Sequence, residues 1–365
     1  MKALYIHVPF CDTICAYCDF CRVKSSLPII EKWLDAFQVE VEDRLIENEY
    51  DTIYIGGGTP TCLNEVQLER LLKCIQPYTK NVEEYTIEIN PETLTLKKCS
   101  ILKKYGINRA SIGVQTVNED LLKLINRKHT KEEVIQCIKW LKKKGITNIS
   151  CDCMYSLPTQ TISDVEDTLA FISSLDIPHV SIYSLTIEEN SQFKKDGYSS
   201  LDEDMEADMY EFIIKYLESH WFIQYEISNF AKPGYESAHN MHYWKYDDFV
   251  GLSIGASGKE ENCRYDCTTN FMEYFRHNYF KEIIPLSQGD QMFEFIMMGL
   301  RLKNGFDMND FKKRFQYEFS EVYKKELQEA MDRNLLVVQQ NKVKCSEQGY
   351  KICNTVIEMF MKDNN

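Results

Sequence analysis

The sequence predicts an α/β fold, a partial (β/α)6 TIM-like barrel followed by a small C-terminal winged-helix-like α+β domain. Short β-branched segments alternate with amphipathic helical segments up to about residue 225. Residues 226–286 are rich in Gly, His and aromatic residues and show little helical periodicity, whereas 287–365 are mainly helical with a hairpin-like stretch, LLVVQQNKVKC. The predicted domains are therefore 1–225, 226–286 and 287–365.

Six β-branched segments are the predicted strands of the barrel: 3–8, 52–57, 85–90, 109–115, 148–157 and 179–185. Helical periodicity lies between them, for example at 29–45, 64–78, 131–145 and 163–175. Asn64 and Ser163 are predicted N-caps, and Gly106 and Gly145 occupy predicted helix C-termini. Six β-then-α units in a row predict a parallel sheet with its helices on one side, and six units are too few to close an eight-stranded barrel.

Composition limits the function classes. Apolar residues make up 44% and charged residues 27% of the 365, the profile of a soluble globular protein. The net charge of −14 argues against a general nucleic-acid binder, which needs a basic face. The sequence predicts neither a signal peptide nor a transmembrane segment, so we expect a cytoplasmic protein. In a reducing compartment, fourteen cysteines favour metal ligands or buried thiols over disulfides.

Four cysteines lie close together just after the first predicted strand. Cys11, Cys15 and Cys18 have the spacing C-x3-C-x2-C, and Cys21 follows. Three thiolates on one loop can hold three irons of a [4Fe–4S] cube and leave the fourth iron open. The alternatives are a four-cysteine zinc site and a ferredoxin-type cluster. Zinc sites usually combine two separated cysteine pairs, and ferredoxin runs use x2 spacings, so the pattern favours the open-iron cluster.

This loop, with Tyr17 directly before its third cysteine, resembles that of the radical S-adenosylmethionine (radical SAM) superfamily. The wider phrase YIHVPFC…CAYCDF resembles the branch that contains oxygen-independent coproporphyrinogen III oxidases and HemW-like haem chaperones. The resemblance implies that the open iron binds the amino and carboxylate groups of SAM. It also implies that the reduced cluster cleaves SAM to a 5′-deoxyadenosyl radical, so a reductant is an implied partner.

The resemblance also implies SAM contacts at successive strand ends, where parallel sheets place ligands. These cofactor-binding residues are Tyr5, Tyr17, Gly57, Gly58, Thr59, Glu88, Gln115, Arg127 and Asp152. Considered singly, each residue fits a surface or helix-capping role better, and only their joint position at successive strand ends favours the SAM site. The glycines could form a tight turn. Glu88 lies in an apolar strand, where a buried carboxylate needs a hydrogen-bonding or charged partner but not a ligand. Arg127 is suited to a bidentate contact with the SAM carboxylate.

Cys21 distinguishes the two branches. The cysteine pattern of the oxidase branch resembles C-x3-C-x2-C-x-C. In this chain Asp19 and Phe20 separate the third cysteine, Cys18, from Cys21. We interpret Cys21 as a bystander, with a redox-sensitive thiol or a competing iron ligand as alternatives.

A second motif favours the HemW-like branch. His239-Asn240-x-x-Tyr243-Trp244 matches its H-N-x-x-Y-W pattern, and His239, His242, Tyr243 and Trp244 form a candidate haem region. An imidazole among aromatic rings suits haem, although on spacing alone a structural histidine is the better interpretation. Ser257 replaces the His of the usual GAHG loop, which weakens any metal role there.

We therefore expect a HemW-like protein that binds a [4Fe–4S] cluster and SAM and delivers haem to acceptor proteins, without nucleic-acid partners. The alternative is a coproporphyrinogen III oxidase, which converts propionates to vinyls by oxidative decarboxylation. The resemblance implies a sizeable segment before the first strand of oxidases, and only two residues precede that predicted strand here. SAM cleavage is expected and decarboxylation is not. A radical SAM enzyme with an unrelated substrate is a third interpretation.

Overall fold

The computed structural model describes residues 2–361, and six parallel strands form the centre of its main sheet. They are β1 (Lys2–Val8), β2 (Tyr50–Gly57), β3 (Glu84–Ile89), β4 (Arg109–Gln115), β5 (Asn148–Tyr155) and β6 (His179–Ser184). These strands lie side by side in chain order, and all five neighbouring pairs are parallel. Within residues 2–361, β1 and β6 do not pair, so the barrel stays open. The predicted fold class is confirmed.

Helices follow the strands. They are α1 (Leu27–Arg44), α2 (Glu65–Ile75), α3 (Leu96–Lys104), α4 (Glu119–Leu124), α5 (Lys131–Lys143), α6 (Ile162–Ser173), α7 (Gln192–Lys195) and α8 (Glu203–Ser219). Neighbouring helices contact one another, as in the pairs α1–α2, α2–α3, α3–α5 and α6–α8. The helices therefore share one side of the sheet, as predicted. In α1, Trp33, Leu34 and Phe37 are fully buried, so the predicted apolar face packs into the core.

The helix ends agree with the sequence at three of four predicted positions. Asn64 caps α2, and Gly106 (φ +90°) and Gly145 (φ +75°) follow the last residues of α3 and α5 in the left-handed conformation. The prediction for Ser163 is wrong, because α6 begins at Ile162 and Ser163 lies within its first turn. Thr161 is its N-cap and forms a reciprocal capping box with Asp164.

Residues 223–285, which include most of the Gly- and aromatic-rich segment, extend the same sheet at both edges. The added strands are β7 (Ile223–Gln224), β8 (Asn229–Ala231), β9 (Phe249–Leu252), β10 (Ser257–Glu260), β11 (Cys263–Cys267) and β12 (Phe280–Pro285), with the short helix α10 (Phe271–Tyr274) before β12. Strand β8 pairs antiparallel with β6, and β9 pairs parallel with β1. The sheet therefore has twelve strands.

A short helix, α9 (Ala238–Trp244), lies against the amino-terminal ends of the barrel strands. The carboxylate of Glu84, the first residue of β3, accepts hydrogen bonds from the Ser237 hydroxyl (3.1 Å) and from the backbone N–H groups of Ala238 (2.9 Å) and His239 (3.0 Å). The buried guanidinium of Arg109 lies 3.9 Å from the same carboxylate. A negative charge at a helix N-terminus is stabilising, so Glu84 holds α9 in place.

The C-terminal part has its own core, in which aromatic rings such as Phe295, Phe306, Phe311 and Phe319 pack edge to face. Its helices are α11 (Gln288–Leu300), α12 (Met308–Phe315), α13 (Phe319–Val322), α14 (Lys324–Asp332), α15 (Glu347–Lys351) and α16 (Cys353–Glu358). The strands β13 (Phe306–Asp307), β14 (Leu336–Gln339) and β15 (Lys342–Cys345) form a separate antiparallel sheet. Among the described residues, no helix is long and apolar enough to cross a bilayer.

Replacing Glu84 tests how α9 is held. Glu84→Gln keeps the side-chain size but removes the charge that faces α9 and leaves Arg109 as a buried cation without its carboxylate. The free energy of unfolding should fall by about 3 kcal/mol, measured by urea denaturation. Glu83→Gln, at the exposed neighbouring position, is the matched control and should change it by less than about 0.5 kcal/mol. Equal effects of the two substitutions would contradict this arrangement.

Candidate functional site

A cavity of about 520 Å³ opens at the carboxyl ends of the barrel strands. We call it the cysteine cavity, because Cys11, Cys15 and Cys18 line one side of it. Its other walls come from the ends of β2 to β6. Its size is typical of a small-molecule site.

The loop that carries the three cysteines is anchored to distant parts of the chain. Its two ends pair with each other, Phe10–Cys11 running parallel to Val23–Lys24. In its middle, the backbone N–H of Ala16 donates to the Ile125 carbonyl (3.1 Å) and the Ala16 carbonyl accepts from Phe193 N–H (3.0 Å). The Asn126 amide donates to the Ile14 carbonyl (2.7 Å). Hydrogen bonds to Ile125, Asn126 and Phe193 therefore hold the loop in position.

The three thiols fit a cluster better than a single ion. In the part of the chain from residue 2 to 361, no three His, Cys, Asp or Glu side chains come close enough together to hold one metal ion. A cube presents its irons at separate corners, so its ligands lie farther apart than those of one tetrahedral zinc. Burial raises the pKa of Cys11 to about 11 and also raises the pKa of Cys18. Metal binding would therefore release protons from them.

Cys21 does not line the cysteine cavity. Its backbone carbonyl accepts a hydrogen bond from His7 Nε2 (2.8 Å), so His7 Nδ1 is the acceptor for the Tyr5 hydroxyl (2.9 Å). Burial lowers the pKa of His7, which favours this neutral form. The Cys21 side chain instead packs beside Gly255, where an added Cβ would lie 2.3 Å from Cys21 Cβ. The bystander interpretation of this thiol stays a prediction.

Glu88 lines the cysteine cavity from the end of β3. Its carboxylate accepts hydrogen bonds from the Tyr54 hydroxyl (2.9 Å) and the Gly57 N–H (3.0 Å). Burial, reinforced by the nearby Asp152, raises the pKa of Glu88 from 4.5 to about 7. A carboxyl with such a pKa, open to a cavity, is suited to recognising a cationic ligand group.

The glycines after β2 pack where no side chain fits. Gly57 has φ +102°, and a Cβ there would lie 2.5 Å from the His7 ring. A Cβ on Gly58 would lie 2.5 Å from the Phe10 carbonyl oxygen and 2.8 Å from that of Val8. The turn therefore needs glycine for its own packing against β1, and Gly57, Gly58 and the buried Thr59 also line the cysteine cavity.

Arg127 reaches the cysteine cavity beside the end of β4. Its guanidinium donates to the Asn90 side chain (2.7 Å) and to the Gly113 carbonyl. Its Nε–H is buried and has no hydrogen-bond partner within residues 2–361. Gln115, next to it, has φ +65°, an unfavourable conformation for this residue type that is common at functional sites. An unpaired donor on a buried cation is available for an anionic ligand group.

Asp152, on β5, also lines the cysteine cavity, as do the acidic residues Asp19, Glu88 and Glu188. It accepts hydrogen bonds from the hydroxyls of Ser111 (2.8 Å) and Ser150 (3.2 Å). Burial raises its pKa, while these bonds and the positive Arg109 oppose that rise.

Eleven of the twelve predicted cluster and SAM residues line this one cavity, and Tyr5 does not. Tyr5 lies beneath it and bonds to His7. Sequence reasoning missed other lining residues, including Tyr54, Asn90, Arg109, Ser111, Tyr183 and Asn240. Arg109 and Ser111 are polar residues in a strand that was predicted to be buried. This mismatch is a sequence signal that could have identified them as cavity-lining residues.

The candidate haem region lies away from the cysteines, on α9. His239 is buried, with Nδ1 2.9 Å from the Thr52 hydroxyl and Nε2 2.8 Å from the Tyr243 hydroxyl. Burial lowers the pKa of His239 to about 3. His242 contacts Asp247 (3.1 Å), and the indole N–H of Trp244 has no partner among the described residues. Because both ring nitrogens of His239 are engaged, this histidine does not fit an iron ligand here.

Comparisons with known proteins agree with this architecture. A family model described as the radical SAM superfamily matches residues 5–172, and one described as the HemN C-terminal domain matches 286–351. The heme chaperone HemW of Lactococcus lactis is 37% identical over 100% of this chain and 98% of its own length. The HemW proteins of Bacillus subtilis and Escherichia coli are 33% and 30% identical, each over 99% of this chain and over 99% and 98% of their own lengths.

Among solved structures, coproporphyrinogen III oxidase (HemN) from Escherichia coli, described as a radical SAM enzyme, superposes with a TM-score of 0.87. The match covers 98% of this chain and 90% of that chain at 21% identity. At this identity the likeness shows a shared fold.

The raised pKa of Glu88 predicts a pH-dependent stability. The folded state holds this proton up to about pH 7, whereas the unfolded state releases it near pH 4.5. The stability of the cluster-free protein should therefore fall as pH rises through this window. Glu88→Gln removes the titration and should gain about 2 kcal/mol relative to wild type between pH 5 and pH 8, measured by urea unfolding at each pH. A stability difference between Glu88→Gln and wild type that does not change with pH would refute the assignment.

Proposed function

The chain belongs to the HemW family of the radical SAM superfamily, and from this premise we propose that it is a haem chaperone that binds a [4Fe–4S] cluster and SAM. When bound and reduced, such a cluster supplies the electron that cleaves SAM. The proposal assigns three tasks to the chain: holding the cluster, orienting SAM, and carrying haem to acceptor proteins.

The observation that carries the proposal is the convergence of three thiols and the predicted SAM residues on one cavity. Cys11, Cys15 and Cys18 would hold three corners of the cluster and leave one corner facing the cavity. The backbone bonds of the loop keep these thiols on one wall of the cavity. Tyr17 lies between Cys15 and Cys18 in the sequence, and its side chain also lines the cavity.

The remaining polar groups are suited to the zwitterionic methionine end and the ribose of SAM. Arg127, with its unpaired Nε–H, is proposed to bind the SAM carboxylate. Gly57, Gly58 and Thr59, supported by Glu88, are proposed to contact its amino group. Glu88 is ionised more readily once a cation lies beside it, so binding would lower its pKa. We assign Gln115 and Asp152 to further SAM contacts, and Tyr5 to support from beneath through His7.

The haem part of the proposal is supported by the relatives named heme chaperone HemW, which match over nearly the whole chain. We propose that haem binds at the α9 segment that carries His239, His242, Tyr243 and Trp244. Delivery to acceptor proteins and reduction by an electron donor complete the proposed cycle. The alternative function is oxidative decarboxylation of coproporphyrinogen III, since the oxidase structure shares its fold with this chain but the fold alone does not choose between the two functions.

Paired cysteine substitutions test the cluster assignment. After anaerobic reconstitution, the wild-type protein should contain iron and sulfide in equal amounts, absorb broadly in the visible range and cleave SAM when reduced. Cys15→Ala should lose the intact cluster and SAM cleavage, because one of three thiolates is missing. Cys21→Ala, the matched control, should keep both. An intact cluster in Cys15→Ala, its loss in Cys21→Ala, or zinc at this loop in the wild type would contradict the assignment.

A pair of assays on the same reconstituted protein separates chaperone from oxidase. Haem titration should give saturable binding with a changed haem absorption spectrum. Incubation with coproporphyrinogen III, SAM and a reductant without oxygen should yield no protoporphyrinogen. Formation of protoporphyrinogen with release of carbon dioxide would establish the oxidase alternative, and absence of haem binding would refute the chaperone function.

A further inference from the structure

A chain of buried hydrogen bonds leads through the barrel wall to Asp152. It connects Tyr225 to His179 (2.9 Å), His179 to Ser150 (2.8 Å) and Ser150 to the Asp152 carboxylate (3.2 Å). We propose that Tyr225 and His179 are positioning residues for SAM binding, which act on the ligand through Ser150 and Asp152. This inference rests on the SAM site proposed above and adds to it two residues that do not line the cysteine cavity.

The strand register brings these side chains together. Ser150 lies directly opposite His179 in the β5–β6 pair, and Asp152 follows Ser150 by two positions on the same face of β5. Tyr225 lies in the connection between β7 and β8, and its backbone carbonyl accepts a hydrogen bond from the Lys303 N–H (3.0 Å) of the C-terminal part. Sheet pairing and this contact therefore fix the spacing of the chain.

The link between Tyr225 and His179 has one direction. The Tyr225 hydroxyl oxygen accepts a hydrogen bond from the backbone N–H of Ser237 (3.2 Å), a group that can only donate. Its other partner within residues 2–361 is Nε2 of His179, so the hydroxyl hydrogen of Tyr225 is donated to that nitrogen. Nε2 is therefore the acceptor nitrogen of the imidazole.

The neutral state of His179 determines the direction of the next links. Burial lowers the pKa of His179 well below its usual value, and the positive charge of Arg109 lowers it further. A neutral imidazole carries one ring hydrogen, so Nδ1 is the donor and Ser150 Oγ accepts from it. The single hydroxyl hydrogen of Ser150 is then directed towards Asp152 or towards the Ser181 hydroxyl (3.2 Å).

The donors at this end of the chain converge on one carboxylate. The Ser111 hydroxyl donates to Asp152 (2.8 Å), and the Ser181 hydroxyl is a further hydrogen-bonding partner of the same group. Hydrogen bonds to an ionised carboxylate favour its charged form. The chain therefore opposes burial, which raises the pKa of Asp152, and it orients the carboxylate towards a donor in the cysteine cavity.

The other groups that face Asp152 do not replace this orientation. Glu88 on β3 disfavours a second negative charge, whereas Arg109 on β4 favours it. The hydroxyl groups of Tyr54 on β2 and Tyr183 on β6 also lie near enough to interact with this charge. Charge interactions depend weakly on direction, whereas hydrogen bonds require a particular angle. The serine hydroxyls and the chain behind them are therefore the groups that aim the carboxylate.

Tyr225, His179 and Ser150 are set back from the cysteine cavity, which Asp152 lines. None of the three can contact a ligand there, so they affect it through Asp152 and the adjacent Ser181. Loss of a chain member should therefore weaken ligand binding without removing a group that touches the ligand.

SAM binding to the anaerobically reconstituted full-length protein tests the chain. His179→Leu removes the Nδ1–H donor and should weaken SAM binding about tenfold, because hydrogen bonds to charged groups contribute energies of this order. His179→Asn supplies an amide N–H in place of Nδ1–H and should bind SAM within about threefold of wild type. Equilibrium dialysis measures the affinities. The rate of SAM cleavage at saturating SAM should stay within about twofold of wild type in both variants, because the chain affects binding.

Two further comparisons separate positioning from general damage to the barrel. Tyr225→Phe removes only the hydroxyl that fixes the direction of the chain and should weaken SAM binding about threefold. Tyr210→Phe, the matched control, loses a hydroxyl that donates to the Ile227 carbonyl (2.8 Å) outside the chain, and should alter binding less than about twofold. In an Asp152→Asn background, His179→Leu should cause no further loss, because the chain has already lost the group on which it acts.

The outcomes separate the chain from the proposed function. Unchanged SAM affinity in His179→Leu, equal losses in His179→Leu and His179→Asn, or a further loss in the Asp152→Asn background would overturn the positioning role while SAM binding stands. Failure of the wild type to bind SAM would overturn both this inference and the proposed function. Unfolding temperatures show which variants are folded. If His179→Leu does not fold, Tyr225→Phe and Tyr210→Phe decide, and equal affinities in these two variants would overturn the proposal.

Discussion

The contact between Glu84 and the start of α9 determines how the interior is divided. An open barrel of six strands has two accessible ends, and parallel strands direct their carboxyl ends to only one of them. The carboxylate of Glu84 binds the N–H groups of Ala238 and His239 and so holds α9 across the other end. One face of α9 completes the barrel interior, and its other face lines the space beneath the C-terminal domain. One buried charge therefore holds the helix that lies between the barrel interior and the C-terminal domain.

The cysteine cavity is organised by main-chain contacts from sequence-distant segments. The loop around Ala16 is fixed by Ile125 and Phe193, and its Cys21 carbonyl is fixed by His7 on β1. This kind of support costs little entropy at the moment a ligand binds, because the loop is already ordered. Within the stretch YIHVPFC, His7 bonds to the Cys21 carbonyl and Cys11 pairs with Lys24, so two of its residues support the end of the loop.

Local patterns in the sequence predicted the centre of the fold well. Strand β4 spans 109–115 as expected, because the β-branched Ile112 and Val114 are typical of a buried strand. The strands at the sheet edges were missed, since short Gly- and aromatic-rich segments such as β10 have no clear period. The surroundings of His239 could not be predicted from local sequence either, because its helix is held by Glu84, which lies 155 positions away. The grouping of the strand-end residues followed from topology alone, whereas the position of Tyr5 beneath the cavity depends on its bond to His7.

The crowding at Gly58 has an evolutionary consequence that differs from that at Gly57. A side chain at Gly57 would collide with the ring of His7, and a smaller residue at position 7 would remove this obstacle. The left-handed backbone of Gly57 would still favour glycine. The atoms facing Gly58 are the main-chain oxygens of Val8 and Phe10, which every amino acid carries. No second mutation at those positions can make room, so position 58 is closed to compensatory change. Drift in this lineage can remodel the neighbours of that turn but must leave this glycine untouched.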